Sequence, residues 1–231
     1  MATLTPTYDT GARGKPMTYV AISPGRELDE PTLASTMPAL GELNAAFVAD
    51  TMSAVLAHER CGRHLYRSVA GRTLNPVLRS KYEEFGDETQ RHADILEGLI
   101  TAAGGDPQYV SPSARATEAM DSKVLECTFM LTGSIDVATA ELVMLDAVLA
   151  AEGLDQANWI ALGGLVPLLP EGEVADRFTA AVEEVLAQED RHVDWARETR
   201  TTLISLLATA PAPSPAAGQA ELMEAVRGWF G

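Results

Sequence analysis

Basic residues are scarce in this chain of 231 residues: 17 Lys and Arg stand against 33 Asp and Glu, a net charge of −16. A nucleic-acid binder carries a basic footprint, and no basic cluster is present, so nucleic acid is excluded as a partner. An anionic membrane surface is excluded on the same ground. An acidic shell draws cations towards a protein and also keeps it soluble. There are two cysteines, Cys61 and Cys127, with no CxxC and no framework spacing. We therefore expect a reducing compartment, the cytoplasm, rather than a disulfide scaffold. The most apolar run, FMLTGSIDVATAELVMLDAVLAA, contains Asp136, Glu141 and Asp146. Each acid at a bilayer centre costs about 2.5–3.5 kcal/mol, so a helix of a folded core is expected there and no membrane span. The opening MATLTPTYDTGARGKPMTYVAISPG has no apolar stretch of the kind a secretory leader needs, and none is expected. No phosphate-binding glycine loop, no Ser/His/Asp set and no Cys/His set is evident.

Aromatics are also few, at 6%, and no stretch alternates with the period of a strand. Hydrophobic residues still reach 46%, enough for a sizeable core. Ala, Leu and Glu dominate long stretches and favour helices. The spacing predicts four long amphipathic helices, at about 40–70, 74–103, 114–152 and 172–208. GRTLNP, AGGDPQYVSP and GGLVPLLPEGE separate them. The fold class expected is all-α, a four-helix bundle with a long connection between the second and third helices. An irregular arm precedes it over 1–38, and the bundle spans 39–208. Residues 209–231 form a Pro/Ala linker and a short amphipathic segment in which Leu222, Val226, Trp229 and Phe230 fall at helical spacing.

Each predicted helix carries an acid on or beside its apolar stripe: Glu59, Glu88, Glu141 and Glu189. The second and fourth also carry a histidine one turn on, His92 and His192, two of only four in the chain. Residues three or four apart share a helix face, so Glu88 with His92, and Glu189 with His192, each aim two donors at one point. Four carboxylates gathered in a core carry four negative charges, and burying even one unpaired charge is very costly. Few bases lie on these stripes. Two divalent cations would balance the acids and use both imidazoles, the donor pattern of dinuclear carboxylate bundles. In the third helix, Asp146 or Glu152 could take the place of Glu141.

The sequence resembles the ferritin-like superfamily over about residues 40–208. AHERCGRHLY resembles the first-helix segment with its single Glu, and EDRH matches the ExxH motif of the fourth helix. TAELVML resembles the third-helix segment. YEEFGDETQRHADIL looks like the second-helix motif and also resembles a group of bacterial ferritin-like domain proteins. The resemblance implies a dinuclear centre of two iron ions, with manganese as the alternative. Glu88 and Glu189 would bridge or chelate, Glu59 and Glu141 would be terminal ligands, and His92 and His192 would complete the set. One departure stands out: the residue three before His92 is Thr89, and the acid Glu88 lies four before it.

The chemistry implied is oxidative, with O2 or H2O2 as co-reactant, in a ferroxidase or peroxide-reducing oxidoreductase. The alternative is a non-catalytic metal-binding or scaffold bundle of a stress response, acting by self-assembly or by docking its tail. A homo-oligomer is expected, with a protein partner as one use of the C-terminal segment. Such linked tails also resemble cargo-loading tags of proteins packed into bacterial nanocompartments. Tyr66, on the stripe beyond Glu59, is read as a core tyrosine or a hydroxyl donor beside the metals. His58 and His64 lie off the stripe and are expected to face solvent.

Overall fold

The computed structural model describes residues 37–130 and 137–209. The expected arm up to residue 36 and the linker and tail from 210 lie outside them. The described residues form five packed helices and no strand: α1 Ala45–Arg72, α2 Pro76–Ala102, α3 Pro112–Cys127, α4 Val137–Leu165 and α5 Glu173–Thr209. Short 3-10 turns, Pro38–Leu40 and Val166–Leu168, flank the set. None of these helices is long and apolar enough to cross a membrane.

Local sequence sets the helix starts. Asn44 caps α1 by accepting from the Phe47 amide, and Asn75 caps α2 by accepting from Val77 and Leu78. Ser111 caps α3, and Pro76 and Pro112 open their helices where an amide would be unpaired. Glu173 and Asp176 place negative charge in the first turn of α5, which favours that end of the helix dipole.

The three-residue turn 73–75 makes α1 and α2 antiparallel neighbours. Arg60 reaches Glu97 near one end of the pair, and Arg79 reaches the Ala70 carbonyl near the other. Helix α4 also runs antiparallel to α1, with Trp159 beside Glu59 and Glu141 beside Thr73. Helices α2 and α4 are therefore parallel, which requires a crossover. Helix α3 makes it, running alongside α1 with Ser113 at Asp50, Asp121 at His58 and Thr128 at Arg72. Helix α5 closes the bundle against α4 and α2.

The predicted third helix, 114–152, is thus two elements. Helix α3 ends at Cys127, and 3-10-type bonds from Thr128, Phe129 and Met130 tighten its last turn. Helices α3 and α4 run oppositely along α1. DQANWIAL, read as a further turn or two, lies inside α4, which continues to Leu165.

The core is layered along the bundle axis. One apolar cluster contains Met52 and Leu56 of α1, Leu96 and Leu99 of α2, Trp159 and Leu162 of α4, and Val182 and Val185 of α5. The other contains Leu65 and Val69, Leu78 and Phe85, Leu145 and Val148, and Ala196 and Leu203 of the same four helices. On each of the four, a polar stretch separates the two clusters. Two close approaches hold this stack. A Cβ on Gly86 would lie 3.1 Å from Tyr66 Cβ, so the glycine lets α2 close over Tyr66. Gly41, at φ 62°, has Pro170 where a Cβ would be, 2.6 Å away. It closes the bundle end against the α4–α5 turn.

Candidate metal centre

The polar layer is built from single turns of four helices. Glu59 comes from α1, His92 from α2, Glu152 and Asp155 from α4, and Glu189 and His192 from α5. All six are 0–3% exposed. They form two clusters, Glu59–His92–Asp155 and Glu152–Glu189–His192. Within each, one donor atom from every residue lies within 4.8 Å of the others.

The outer atoms of these side chains are tied down. Trp159 Nε1–H donates to Glu59 Oε1 at 2.5 Å. His92 Nε2 lies 2.8 Å from Gln188 Oε1, and His192 Nε2 lies 2.6 Å from Glu88 Oε2. With both Nε2 atoms facing acceptors, each ring turns Nδ1 inward. Tyr66 donates its hydroxyl hydrogen to Glu152 Oε1 at 2.7 Å. Glu189 Oε1 sits between the two rings, 3.0 Å from His92 Nδ1 and 3.5 Å from His192 Nδ1.

Many inner atoms are unsatisfied. Among the described residues, eight buried side-chain N and O atoms lack a hydrogen bond, and five of them are Glu59 Oε2, His92 Nδ1, Asp155 Oδ1 and both Glu189 oxygens. Leaving a buried polar group unpaired costs about 1–3 kcal/mol each, and more when charged. Their convergence fits divalent cations, which accept from carboxylate oxygen and imidazole nitrogen together. The donor set carries four carboxylates, and two such ions would balance it.

The metal-free charges are correspondingly strained. Burial, then the charge of Asp155, pushes the Glu59 carboxyl well above its ordinary value. Burial, then Asp155, Glu152 and Glu59, pushes Glu189 far up. Burial raises Asp155 from 3.8 to about 7. Burial acts in the same sense on Glu152, but the hydrogen bond and charge of His192, with the Tyr66 hydroxyl, hold it below its ordinary value. Burial lowers His92. It opposes the charged form of His192 too, but Glu152 and Glu88 outweigh it and raise that imidazole.

Of the residues singled out from sequence, Glu59, His92, Glu189 and His192 come together in this layer. Glu88 lies one turn away along α2, 25% exposed, with its carboxylate on the outer nitrogen of His192 and on Arg191. Glu141 is not in the layer. It shares a face of α4 with Glu152 but lies eleven residues before it, roughly 16 Å along the axis at 1.5 Å per residue. Its Oε1 accepts from Thr73 Oγ1 at 2.7 Å and from the Leu74 amide at 2.9 Å, holding the α1–α2 turn. Asp146 pairs with Arg200 at the surface. Tyr66 is buried and serves as the donor to Glu152.

Asp155 lies beyond the predicted end of the third helix, and the sequence reading does not include it. Its signal was available: Glu152 and Asp155 have the same i,i+3 spacing as Glu189 and His192. His58, expected in solvent, is 2% exposed. Its Nδ1 lies 2.8 Å from Asp121 Oδ2 and its Nε2 3.0 Å from the Ala151 carbonyl oxygen. The crossover helix α3, unseen as a separate element, covers that side of α1. His64 is exposed as expected.

These two buried clusters are placed to chelate metal ions. No protein-family model matches the chain, and no curated protein or solved structure matches it significantly.

Proposed function

We propose that this chain is a ferritin-like dinuclear non-haem iron protein, with manganese as the alternative metal, that reduces H2O2 or O2. The observation that carries this reading is the Glu189 carboxylate. The carboxyl is fully buried, and one of its oxygens lies 3.0 Å and 3.5 Å from two imidazole nitrogens. A carboxylate so placed offers oxygen donors to both clusters. Glu59, His92 and Asp155 would hold one ion and Glu152 and His192 the other, with Glu189 between them. When bound, two Fe(II) ions supply the two electrons that, with two protons, convert one H2O2 to two H2O.

The protein's part is orientation and exclusion of water. Trp159 holds one oxygen of Glu59 outward and leaves Oε2 facing the layer. Gln188 and Glu88 face the outer nitrogens of the histidines, so each ring presents Nδ1 to the layer, and acceptors so placed raise the basicity of an imidazole that ligates a metal. The two apolar clusters close the layer from both ends. Donors at 0–3% exposure favour a co-reactant as small as dioxygen or peroxide. Glu88, 25% exposed, links His192 to the surface at the α2–α5 seam. Cys61 and Cys127 are free thiols, which fits a reducing compartment such as the cytoplasm.

The test is the loss of H2O2 or O2 on mixing with anaerobic, Fe(II)-loaded protein, beside a Glu189→Ala/His192→Ala control. Loss well above the control is expected. Loss no faster than the control would contradict the redox assignment and leave a metal-binding bundle that works as a scaffold.

A further inference from the structure

Helix α4 is charged on the inside and uncharged on the outside. Between Ala147 and Leu165 its ionisable residues are Glu152 and Asp155, and both lie in the buried layer. The opposite face exposes Ala150, Gly153, Ala157, Ala161 and Gly164, with Ile160 58% exposed among them. Leu168, 59% exposed, extends the strip past the helix end. Asp146, at the start of the strip, is paired with Arg200. Glycine is a poor residue inside a helix, and a Cβ on Gly153 or Gly164 would meet nothing within 4 Å. Packing within the chain needs neither, unlike Gly163, where a Cβ would lie 3.1 Å from Val182. An uncharged strip roughly 28 Å long is the kind of surface that monomers keep small and interfaces use.

We infer that this strip pairs with the same strip of a second copy, antiparallel, about a two-fold axis at Ala157. The spacing is symmetric: Gly153 and Ala161 lie four residues either side of Ala157, and Ala150 and Gly164 lie seven. A contact between identical patches needs such self-complementarity. An axis at Ala157, perpendicular to both helices, sets Ala150 level with the partner subunit's Gly164. It also sets Ile160 beside the partner subunit's Gly153, because 160 and 153 lie on the same flank of the strip, three residues after the axis and four before it. The bulky Ile160 side chain thus meets a position without one, and the small residues let the two helices approach closely. Charge acts in the same direction. Each copy carries −16, and like-charged surfaces brought together repel. The outer faces of α2 and α5 expose Glu83, Glu84 and Asp87, and Glu183, Glu184 and Asp190. The α4 strip offers contact without facing charges. The pairing goes beyond the metal-binding reading and stands whether or not the layer holds ions.

The experiment is sedimentation velocity on the full chain from low to high micromolar concentration. A dimer is expected. Ala157→Glu, which puts two carboxylates face to face at the axis, should weaken it at least about a hundredfold in Kd. Circular dichroism should show the variant's helices intact, because Ala157 is exposed in the single chain. Cross-linking tests the register without disrupting it. In a Cys61→Ser/Cys127→Ser background, Ala157→Cys should oxidise to a covalent dimer. Ala150→Cys should cross-link when mixed with Gly164→Cys but not alone, since its two copies would stand roughly 21 Å apart along the helices. A monomer at every concentration overturns the inference, whether the thiol of the Ala157→Cys variant reacts with a maleimide or is covered by another segment of the chain. A dimer unmoved by Ala157→Glu, or cross-linking of Ala150→Cys alone, overturns the antiparallel contact.

Discussion

Glu152 and Asp155 stand one turn apart on α4, and each faces a different cluster. Asp155 joins Glu59 and His92, and Glu152 joins Glu189 and His192. Helix α4 therefore supplies two acids to the polar layer, while α2 supplies His92 alone. The position three before His92 holds Thr89, whose hydroxyl donates to the Phe85 carbonyl instead. The layer still contains four carboxylates and two imidazoles, the same balance that the sequence suggested from a different pair of acids.

Glu141 should matter for stability and not for metal. Its carboxylate is 1% exposed and holds the α1–α2 turn. Glu141→Ala should cost about 1–3 kcal/mol, the range for orphaning buried partners, in chemical unfolding. Metal content should be unchanged. Loss of metal without loss of stability would return Glu141 to the centre.

Glu88 should tune affinity without changing stoichiometry. It accepts from the outer nitrogen of His192, and removal of such a partner typically weakens metal binding about 10–100-fold. Glu88→Ala should show this shift in a Co(II) titration with the same number of ions bound. Loss of one ion altogether would mean that Glu88 reaches the metal itself.

The bundle was legible in sequence because four long apolar stripes and three Gly/Pro breaks mark it. The break between α3 and α4 was not. The apolar pattern continues past Cys127, and the connection 128–136 contains no Pro and a single Gly, Gly133. That one omission had two effects. His58 looked exposed because the helix covering it, with Asp121, was not recognised. Asp155 falls past the expected end of the third helix, so its spacing from Glu152 carries no helical meaning in the sequence. For Glu141, periodicity fixes the face of the helix and not the level along the axis, and three turns separate it from Glu152.

His58 should anchor the crossover. Its pair with Asp121 is buried on both sides, at 2% and 8% exposure, and ties α1 to the middle of α3. Removing one member of a buried ion pair costs about 3–5 kcal/mol. His58→Ala should lower stability by that order and expose α3 to limited proteolysis before the rest of the bundle. An unchanged proteolysis pattern would contradict the anchoring role.

The stability of the metal-free protein should fall as pH rises. A carboxyl raised by folding binds more protons folded than unfolded, so stability drops across the interval between its two values. For Asp155 that interval runs from 3.8 to about 7, and Glu59 and Glu189 act in the same sense. His58, raised from 6.5 to about 9, contributes stability that is full below 6.5 and is lost as pH rises through about 9. Glu152 and Glu88, held below their ordinary 4.5, oppose this in acid, and His92, held below 6.5, opposes it below that pH, while His192, raised, acts with His58. Bound metal should remove the carboxyl part of the decline and release protons on binding. Melting temperatures of metal-free and Co(II)-loaded protein across this range, with calorimetry in buffers of different ionisation enthalpy, check both. Metal-free protein that is more stable at pH 7 than at pH 5 would contradict it.

The central claim is that the buried layer holds metal. Elemental mass spectrometry should be run on protein made in cells supplied with iron and manganese, beside Glu59→Ala/Glu189→Ala. About two iron or manganese ions per chain, as in dinuclear carboxylate bundles, are expected in the wild type and fewer than about half an ion in the variant. Folded wild-type protein that carries no metal, and takes none up on dialysis against Fe(II) or Mn(II), would contradict the account.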